Sequence, residues 1–419
     1  MNRRLRLLAV TALCAAALGG CGSDPNAIHV GLVTAPEGPS GSAETSDIAS
    51  GIESYAADTS FNTRVYTASS DSEESYKIQF DAAEADKTAY VVSAGTQMEE
   101  AVYQAQNAHK KQKFLFFDGQ PRASQDVEST IRENTECVEI SKADMGFLAG
   151  YTAVTDGYRN LLYFTGEQTP DKKEAFDGFV RGVEYAMEEH GLPEGNVSVS
   201  LEVAGSDALT PLRMTDAKKQ YEAGVDLILT DTPGIAEAVS QAASLSGSYL
   251  ATIGFDAVGS LSRVLFSTVP DRADLVEYLL KSFDSSSGNF KGGEVVFCGG
   301  KERAVNLKAD YSQFRSFTEA ACQNILDAMA EGIASGGAAD SGEGTESGES
   351  AAVPSSISVK EVTPVPADAN AGLGSAAAAP AESAADEAAG STEAAETAET
   401  AEADTEADTE AATESSEIA

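Results

Sequence analysis

The chain has 419 residues and carries 28 Lys and Arg against 67 Asp and Glu, a formal net charge of -39. That balance speaks against nucleic acid as a partner and against adsorption of the free chain to anionic lipid, because both rest on cations neutralising phosphate. The three histidines and five cysteines are scattered, without a CxxC or any ligand spacing, and give no basis for a metal site, a cofactor or a histidine-dependent enzyme.

The first segment reads as a targeting signal. Asn2-Arg3-Arg4-Leu5-Arg6 supplies a positive start, and Leu7 to Ala17 an apolar core too short to span a bilayer. Leu18-Gly19-Gly20-Cys21 then brings small residues up to a cysteine. This is the pattern of a bacterial lipoprotein signal, with residues 1–20 removed and Cys21 acylated, palmitate being one of the acyl chains. An ordinary secretory signal with a chance cysteine is the alternative. On the lipoprotein reading the rest of the chain lies on the extracytoplasmic face of the cell membrane and touches it through the lipid anchor only. Residues 21–27 form a linker of roughly 25 Å reach at most.

From Ala27 to about Asp284, strand and helix alternate. His29 to Thr34 predicts a strand, Ser46 to Ala57 a helix, Phe61 to Thr67 a strand, and Tyr90 to Ser93 a strand running into Gly95. Met98 to Asn107 predicts a helix, and Lys113 to Asp118 a buried strand ending in a carboxylate. A second series follows: strand Asn160 to Thr165, helix Lys172 to Glu189, strand Val197 to Val203, helix Met214 to Ala223, strand Val225 to Thr230, helix Ile235 to Leu245 and strand Leu250 to Phe255. Two such series predict two α/β lobes of doubly wound parallel sheet. Glu294 to Phe297 and Val305 to Leu307 flank Gly299-Gly300-Lys301 as a hairpin, and a closing helix follows over 313–335.

The chain thus divides into lobe 1 over 28–140 with a return segment near 265–290, and lobe 2 over 141–264 with a return near 291–312. Beyond residue 335 the composition collapses to Ala, Glu, Ser, Thr, Gly and Asp. This tail, 336–419, holds about half of the net negative charge and reads as disordered. Within it, Ile357 to Val362 is a strand-like patch able to dock back on the domain. Cys137, Cys298 and Cys322 read as buried thiols, with one disulfide as the alternative.

In parallel α/β sheets, ligands bind beyond the carboxyl ends of the strands. At that edge stand Thr34 and, in the loop after it, Glu44; then Ser93, Gly95 and Thr96; then Asp118. Lobe 2 contributes Gly166, Asp231 and Asp256. Carboxylates only accept hydrogen bonds, and one can take two neighbouring hydroxyls, so this edge suits a sugar or a ribose. The competing reading makes each aspartate the cap of the helix that follows it.

Several runs carry a resemblance. Val91-Val92-Ser93-Ala94-Gly95, Phe114 to Asp118, Phe147-Leu148-Ala149-Gly150-Tyr151, Phe176-Asp177-Gly178-Phe179-Val180-Arg181-Gly182 and Ile253-Gly254-Phe255-Asp256 resemble the basic membrane lipoprotein (BMP) family of solute-binding proteins. The resemblance implies the type I periplasmic-binding fold, two lobes joined by three crossover strands that close on a ligand. It implies a nucleoside as ligand, an ABC permease in the same membrane as partner, and Asp118 and Asp256 as contacts to sugar hydroxyls.

The departures are specific. The Ser-Phe-Asn run that the family carries before its first helix is replaced by Ala43-Glu44-Thr45, and Ser60-Phe61-Asn62 lies after that helix, outside the site. Ala257-Val258 stand where Asp-Gln is expected, and Pro270 where a lysine is expected. A stacking aromatic and a cationic ligand contact therefore have no counterpart. The expectation is a monomeric, non-enzymatic, lipid-anchored protein delivering a nucleoside-like or other hydroxyl-rich small molecule to an ABC importer. The alternative is a ligand-sensing or surface-interaction lipoprotein that kept the fold without transport.

Overall fold

The computed structural model describes residues 28–285, 288–333 and 359–362. The signal, the anchor linker and all of the tail except 359–362 lie outside the described residues. The first sheet is built from β1 (Ile28–Thr34), β2 (Asn62–Thr67), β3 (Tyr90–Ala94), β4 (Lys113–Phe117), β5 (Thr135–Ile140) and β11 (Val295–Cys298) in the order β11-β5-β4-β3-β1-β2. The second contains β6 (Asn160–Thr165), β7 (Ser198–Val203), β8 (Leu227–Thr230), β9 (Tyr249–Ile253), β10 (Val264–Pro270), β12 (Val305–Ala309) and β13 (Val359–Val362) in the order β12-β10-β9-β8-β6-β7-β13. Every pairing is parallel except β10 with β12. The helices are α1 (Ala43–Thr59), α2 (Glu73–Ala85), α3 (Glu99–Ala108), α4 (Lys142–Thr155), α5 (Pro170–Glu189), α6 (Pro211–Glu222), α7 (Pro233–Ser246), α8 (Arg272–Phe283) and α9 (Glu319–Ala330).

Both sheets are covered on both faces, which is why their central strands read as continuous apolar runs. In β4, Phe114 and Phe116 pack to one side with Tyr76, Phe80 and Val102, while Leu115 and Phe117 pack to the other with Ile48, Ile52 and Leu275. In the second sheet Leu162, Phe164 and Ile228 pack with Ile235 and Val239 of α7. Cys137, Cys298 and Cys322 are buried and free.

The hairpin expected around Gly299 does not form. β11 pairs with β5 in the first sheet, and β12 pairs with β10 in the second. Residues 299–304 are therefore a crossing between sheets, and the glycines serve the crossing. A Cβ on Gly299 would stand 2.1 Å from an Asp144 oxygen. Asp144, buried, accepts a hydrogen bond from the Gly300 N–H at 2.7 Å. Two further crossings run from β5 into α4 and from β10 into α8. The three are bonded to one another: Ser141 N–H to the Cys298 carbonyl at 2.8 Å, and Asp271 N–H to the Ala304 carbonyl at 2.8 Å.

The tail patch docks as a parallel edge strand, Val359 opposite Val199 and Val362 opposite Glu202. Its charged Lys360 and Glu361 suit an edge strand. β5 and α2, which the sequence reading passed over, carry their apolar residues among charges. Glu136 is only 1% exposed inside β5.

Helices α4 and α5 pack backbone to backbone. A Cβ on Gly146 would lie 1.9 Å from the Ala175 carbonyl oxygen, and one on Gly150 2.2 Å from that of Phe179. The contact is reciprocal, with Gly178 and Gly182 each 2.0 Å by the same measure from the carbonyls of Ala143 and Phe147. Two helices each offering glycine four residues apart meet backbone to backbone, leaving no room for a methyl group. In an open helix Gly→Ala stabilises by about 1 kcal/mol. Here Gly178→Ala is expected to destabilise by about 2 kcal/mol through overpacking, read as a lowered midpoint in urea unfolding; a raised midpoint contradicts the packing.

Burial pushes the Glu136 carboxyl up to about 7, against the opposing hydrogen bond from the Lys291 N–H, and burial also raises Glu202 to about 7. A folded value above the unfolded one means the native state holds protons that the unfolded chain releases. Stability is therefore lost as pH rises from about 4.5 to about 7. Glu136→Gln is expected to flatten that loss, by up to about 3 kcal/mol, in thermal melts at pH 5 and pH 8. Identical pH slopes for the two proteins contradict it.

Candidate functional site

Parallel strands deliver their carboxyl ends to one edge of each sheet, and the crossings place the two edges in register across a gap. A cavity of about 360 Å³ opens there, lined from the first lobe by Thr96, Glu99, Asp118, Gly119, Gln120 and Arg122, from the crossings by Glu139, Ile140, Lys142 and Phe297, and from the second lobe by Asp171 and Glu174. Five carboxylates against two cations make it rich in hydrogen-bond acceptors.

Asp118 sits where β4 ends, in the left-handed region at φ 55°. Aspartate tolerates that conformation better than most residues. Its carboxylate is gripped by Arg272, with Nε to Oδ2 at 2.9 Å and Nη2 to Oδ1 at 3.0 Å. Arg272 opens α8, directly after the second crossing, and its side chain is 12% exposed. The fork leaves each carboxylate oxygen with free acceptor capacity toward the cavity. The cation that Pro270 failed to provide therefore arrives two residues later, from a helix start the sequence reading did not anticipate.

Thr96 and Asp118 are the sequence candidates that line the cavity. Gly95, at φ 99°, makes the turn that delivers Thr96. Thr34 is buried and bonded to Thr67 at 3.2 Å, so it closes the floor between β1 and β2. Among the described residues the buried Ser93 hydroxyl has no hydrogen-bond partner. Glu44 is exposed in the first turn of α1. Its carboxyl is held below the usual range by a backbone N–H hydrogen bond, with Ser42 and Arg272 adding to the effect.

In the second lobe the candidates form a latch. The partly buried Asp231 accepts from Tyr163 Oη at 2.9 Å, Thr165 Oγ1 at 2.7 Å and Thr232 Oγ1 at 2.8 Å, and burial raises its carboxyl despite these bonds. Gly166 N–H donates to Thr232 Oγ1 at 3.1 Å, and Lys172 bridges the same hydroxyl to Asp207, at 3.0 and 2.6 Å. Asp256 is exposed and accepts from the Val258 N–H at 2.9 Å, which folds its own loop. Asp231 and Asp256 do not line the cavity.

Besides Arg272, sequence reasoning missed three features. Glu99, 3% exposed, is paired with Arg122 at 2.7 Å and accepts from the Gln120 N–H at 3.0 Å, which shapes the loop after Asp118. Phe297, 57% exposed, offers a bare ring to the cavity. Asp171 and Glu174 open α5, whose place is set by the glycine contact with α4. Phe297 was hidden inside a supposed hairpin. Asp171 and Glu174 looked like ordinary first-turn acids. Ser60-Phe61-Asn62 lies at the amino end of β2, away from the cavity edge. Among the described residues no group of His, Cys, Asp and Glu is placed to hold a metal.

Two parallel-sheet lobes, three mutually bonded crossings and a polar cavity between the lobes define the type I periplasmic-binding-protein-like fold. Two solved structures share the fold. An ABC transporter solute-binding protein from Conexibacter woesei is 16% identical, with a TM-score of 0.52 over 74% of this chain and 97% of its own. A transcriptional activator of the comK gene from Bacillus halodurans is also 16% identical, with a TM-score of 0.51 over 74% of this chain and 99% of its own. The model of the Bmp family, the PnrA-like ABC transporter substrate-binding proteins, matches residues 29–335. The chain belongs to that family, whose members bind small molecules outside the cytoplasm and work with ABC permeases. No helix among the described residues is long and apolar enough to cross a membrane.

A partly exposed bidentate ion pair is worth about 1 kcal/mol. A double-mutant cycle with Asp118→Asn and Arg272→Gln, read by urea unfolding of the ligand-free protein, is expected to return that coupling. Strict additivity contradicts the pairing.

Proposed function

We propose that this protein is a lipid-anchored, monomeric binding protein that captures a hydroxyl-bearing solute of nucleoside type and presents it to an ABC importer. The observation that carries the reading is Asp118: an aspartate at a strand's carboxyl end, in a left-handed conformation, lining the interlobe cavity with Arg272 behind it. Arg272 balances and orients the carboxylate, whose remaining lone pairs accept two adjacent ribose hydroxyls. Thr96 and the acids of α5 add further polar contacts from above and below. Phe297 supplies the stacking face for a base that the first-loop motif lacks. Asp231 and Thr232 shape the second lobe's edge, and Asp256 orders the neighbouring loop. Because Arg272 starts the helix after one crossing, ligand contact with Asp118 reports directly to a hinge strand. Acylation of Cys21 keeps the domain within reach of a permease in the same membrane.

Calorimetric titration with a panel of nucleosides, free sugars and free bases tests this. Nucleosides are expected to bind, and Asp118→Asn is expected to weaken them at least tenfold, the loss of about 1.5 to 3 kcal/mol for hydrogen bonds to a charged acceptor. Phe297→Ala is expected to weaken nucleosides more than free sugars. Equal nucleoside affinity in wild type and Asp118→Asn overturns the assignment.

A further inference from the structure

The amino ends of the first sheet form a pole opposite the cavity. There Ala89 N–H donates to the Ile28 carbonyl at 3.3 Å, Lys113 N–H to the Ala89 carbonyl at 3.3 Å, and Phe114 N–H to the Asn134 carbonyl at 2.8 Å. Ile28, Ala89, Lys113 and Asn134 are thus successive positions across the sheet. With strands about 4.8 Å apart, Lys113 lies about 10 Å from the residue where the anchor linker ends.

A groove at this pole is lined by Gln106, Asn107, Lys110, Lys111, Lys113, Arg132, Glu133 and Asn134. Lys110, Lys111 and Arg132 are exposed. Arg132 Nε donates to Asn107 Oδ1 at 3.0 Å. Lys113 is poised over the rings of Tyr90 and Phe290, at 5.3 and 4.9 Å. Among the described residues, none of these four cations has a carboxylate partner within ion-pair distance. Three of the pole's acids are engaged elsewhere, Asp284 by His29 and Tyr55, Asp58 by Lys281, Asp86 by Arg64, while the buried Glu136 lies within electrostatic reach of Lys113. Glu133 is the one acid in the groove. In a chain of net charge -39, four unpaired cations gathered beside the anchor's entry point stand apart from the surface around them.

We propose that this basic pole is the face the anchored protein sets down on the membrane, with Lys110, Lys111, Lys113 and Arg132 against anionic lipid headgroups. The proposal rests on acylation of Cys21. The free chain is repelled by an anionic surface as a whole. A chain tethered by residues 21–27 is held at high local concentration, within about 25 Å, and the nearest surface decides its orientation. Each cation adds to the attraction at such a surface, which falls off within a Debye length. Seated this way, the first lobe stands between bilayer and cavity, and the cavity mouth stays clear of the headgroups.

The test is amine-reactive footprinting of the full acylated protein on vesicles of phosphatidylcholine alone and of phosphatidylcholine with phosphatidylglycerol, read by mass spectrometry. On the anionic vesicles, labelling of Lys110 and Lys111 is expected to fall about fivefold relative to Lys218 of the second lobe, and to recover in high salt. Equal labelling on both vesicle types overturns the proposal. So does protection without vesicles, whether from the chain's own acidic tail or from added inorganic phosphate. The mass of the Cys21 peptide separately reports acylation, so a protein that never binds vesicles because it carries no lipid is told apart from an anchored one whose pole stays exposed. In the acylated Lys110→Glu, Lys111→Glu variant, Lys113 labelling is expected to be the same on both vesicles; retained protection of Lys113 counts against a charge-driven seat.

Discussion

The contact on which the rest of the molecule depends is the crossing of α4 and α5. Two pairs of glycines let the helices touch through their backbones, Gly146 and Gly150 against Gly178 and Gly182. Helix α4 is the continuation of the first crossing, so whatever is fixed to it is fixed to the hinge. Helix α5 brings Asp171 and Glu174 to the cavity from its first turn. The sub-van der Waals allowance at these glycines sets the height of that turn, and so the distance between the two lobes' polar edges.

The cavity solves an electrostatic problem that its composition creates. Five carboxylates near one gap repel each other unless cations stand among them. Arg272 and Arg122 do so in different ways. Arg122 pairs with the nearly buried Glu99 and fixes the loop after β4, while Arg272 takes Asp118 from behind and leaves its outer lone pairs available. In the second lobe neutral donors replace cations: Tyr163, Thr165 and Thr232 surround Asp231. One carboxylate is thereby presented and another is locked, although both end a strand and both looked alike in the sequence.

Sheet layout was legible because apolar runs of β-branched and aromatic residues alternate with helical spacing. The two lobes and their parallel strands followed from that pattern, and the strand-like patch at Ile357 to Val362 stood out as one able to dock back; the order of the strands did not follow from it. The hairpin at Gly299 failed for a topological reason. A glycine turn between two short strands looks the same whether the strands pair or part, and only pairing with β5 and β10 decides it. β5 was unreadable because buried glutamates broke its apolar alternation. At the site, position along a strand identified Thr96 and Asp118. Arg272, Phe297 and Asp171 come from other parts of the chain, and only the crossings bring them to the same gap.

The central claim is that a solute lies between the carboxyl edges of the two sheets, held by Asp118. A crystal structure of the protein with the small molecule that it retains through purification tests this most directly. The account predicts hydroxyl oxygens within hydrogen-bond distance of Asp118, a ring against Phe297 and the Arg272 pairing intact. A solute bound elsewhere, with Asp118 still facing empty solvent, would contradict it.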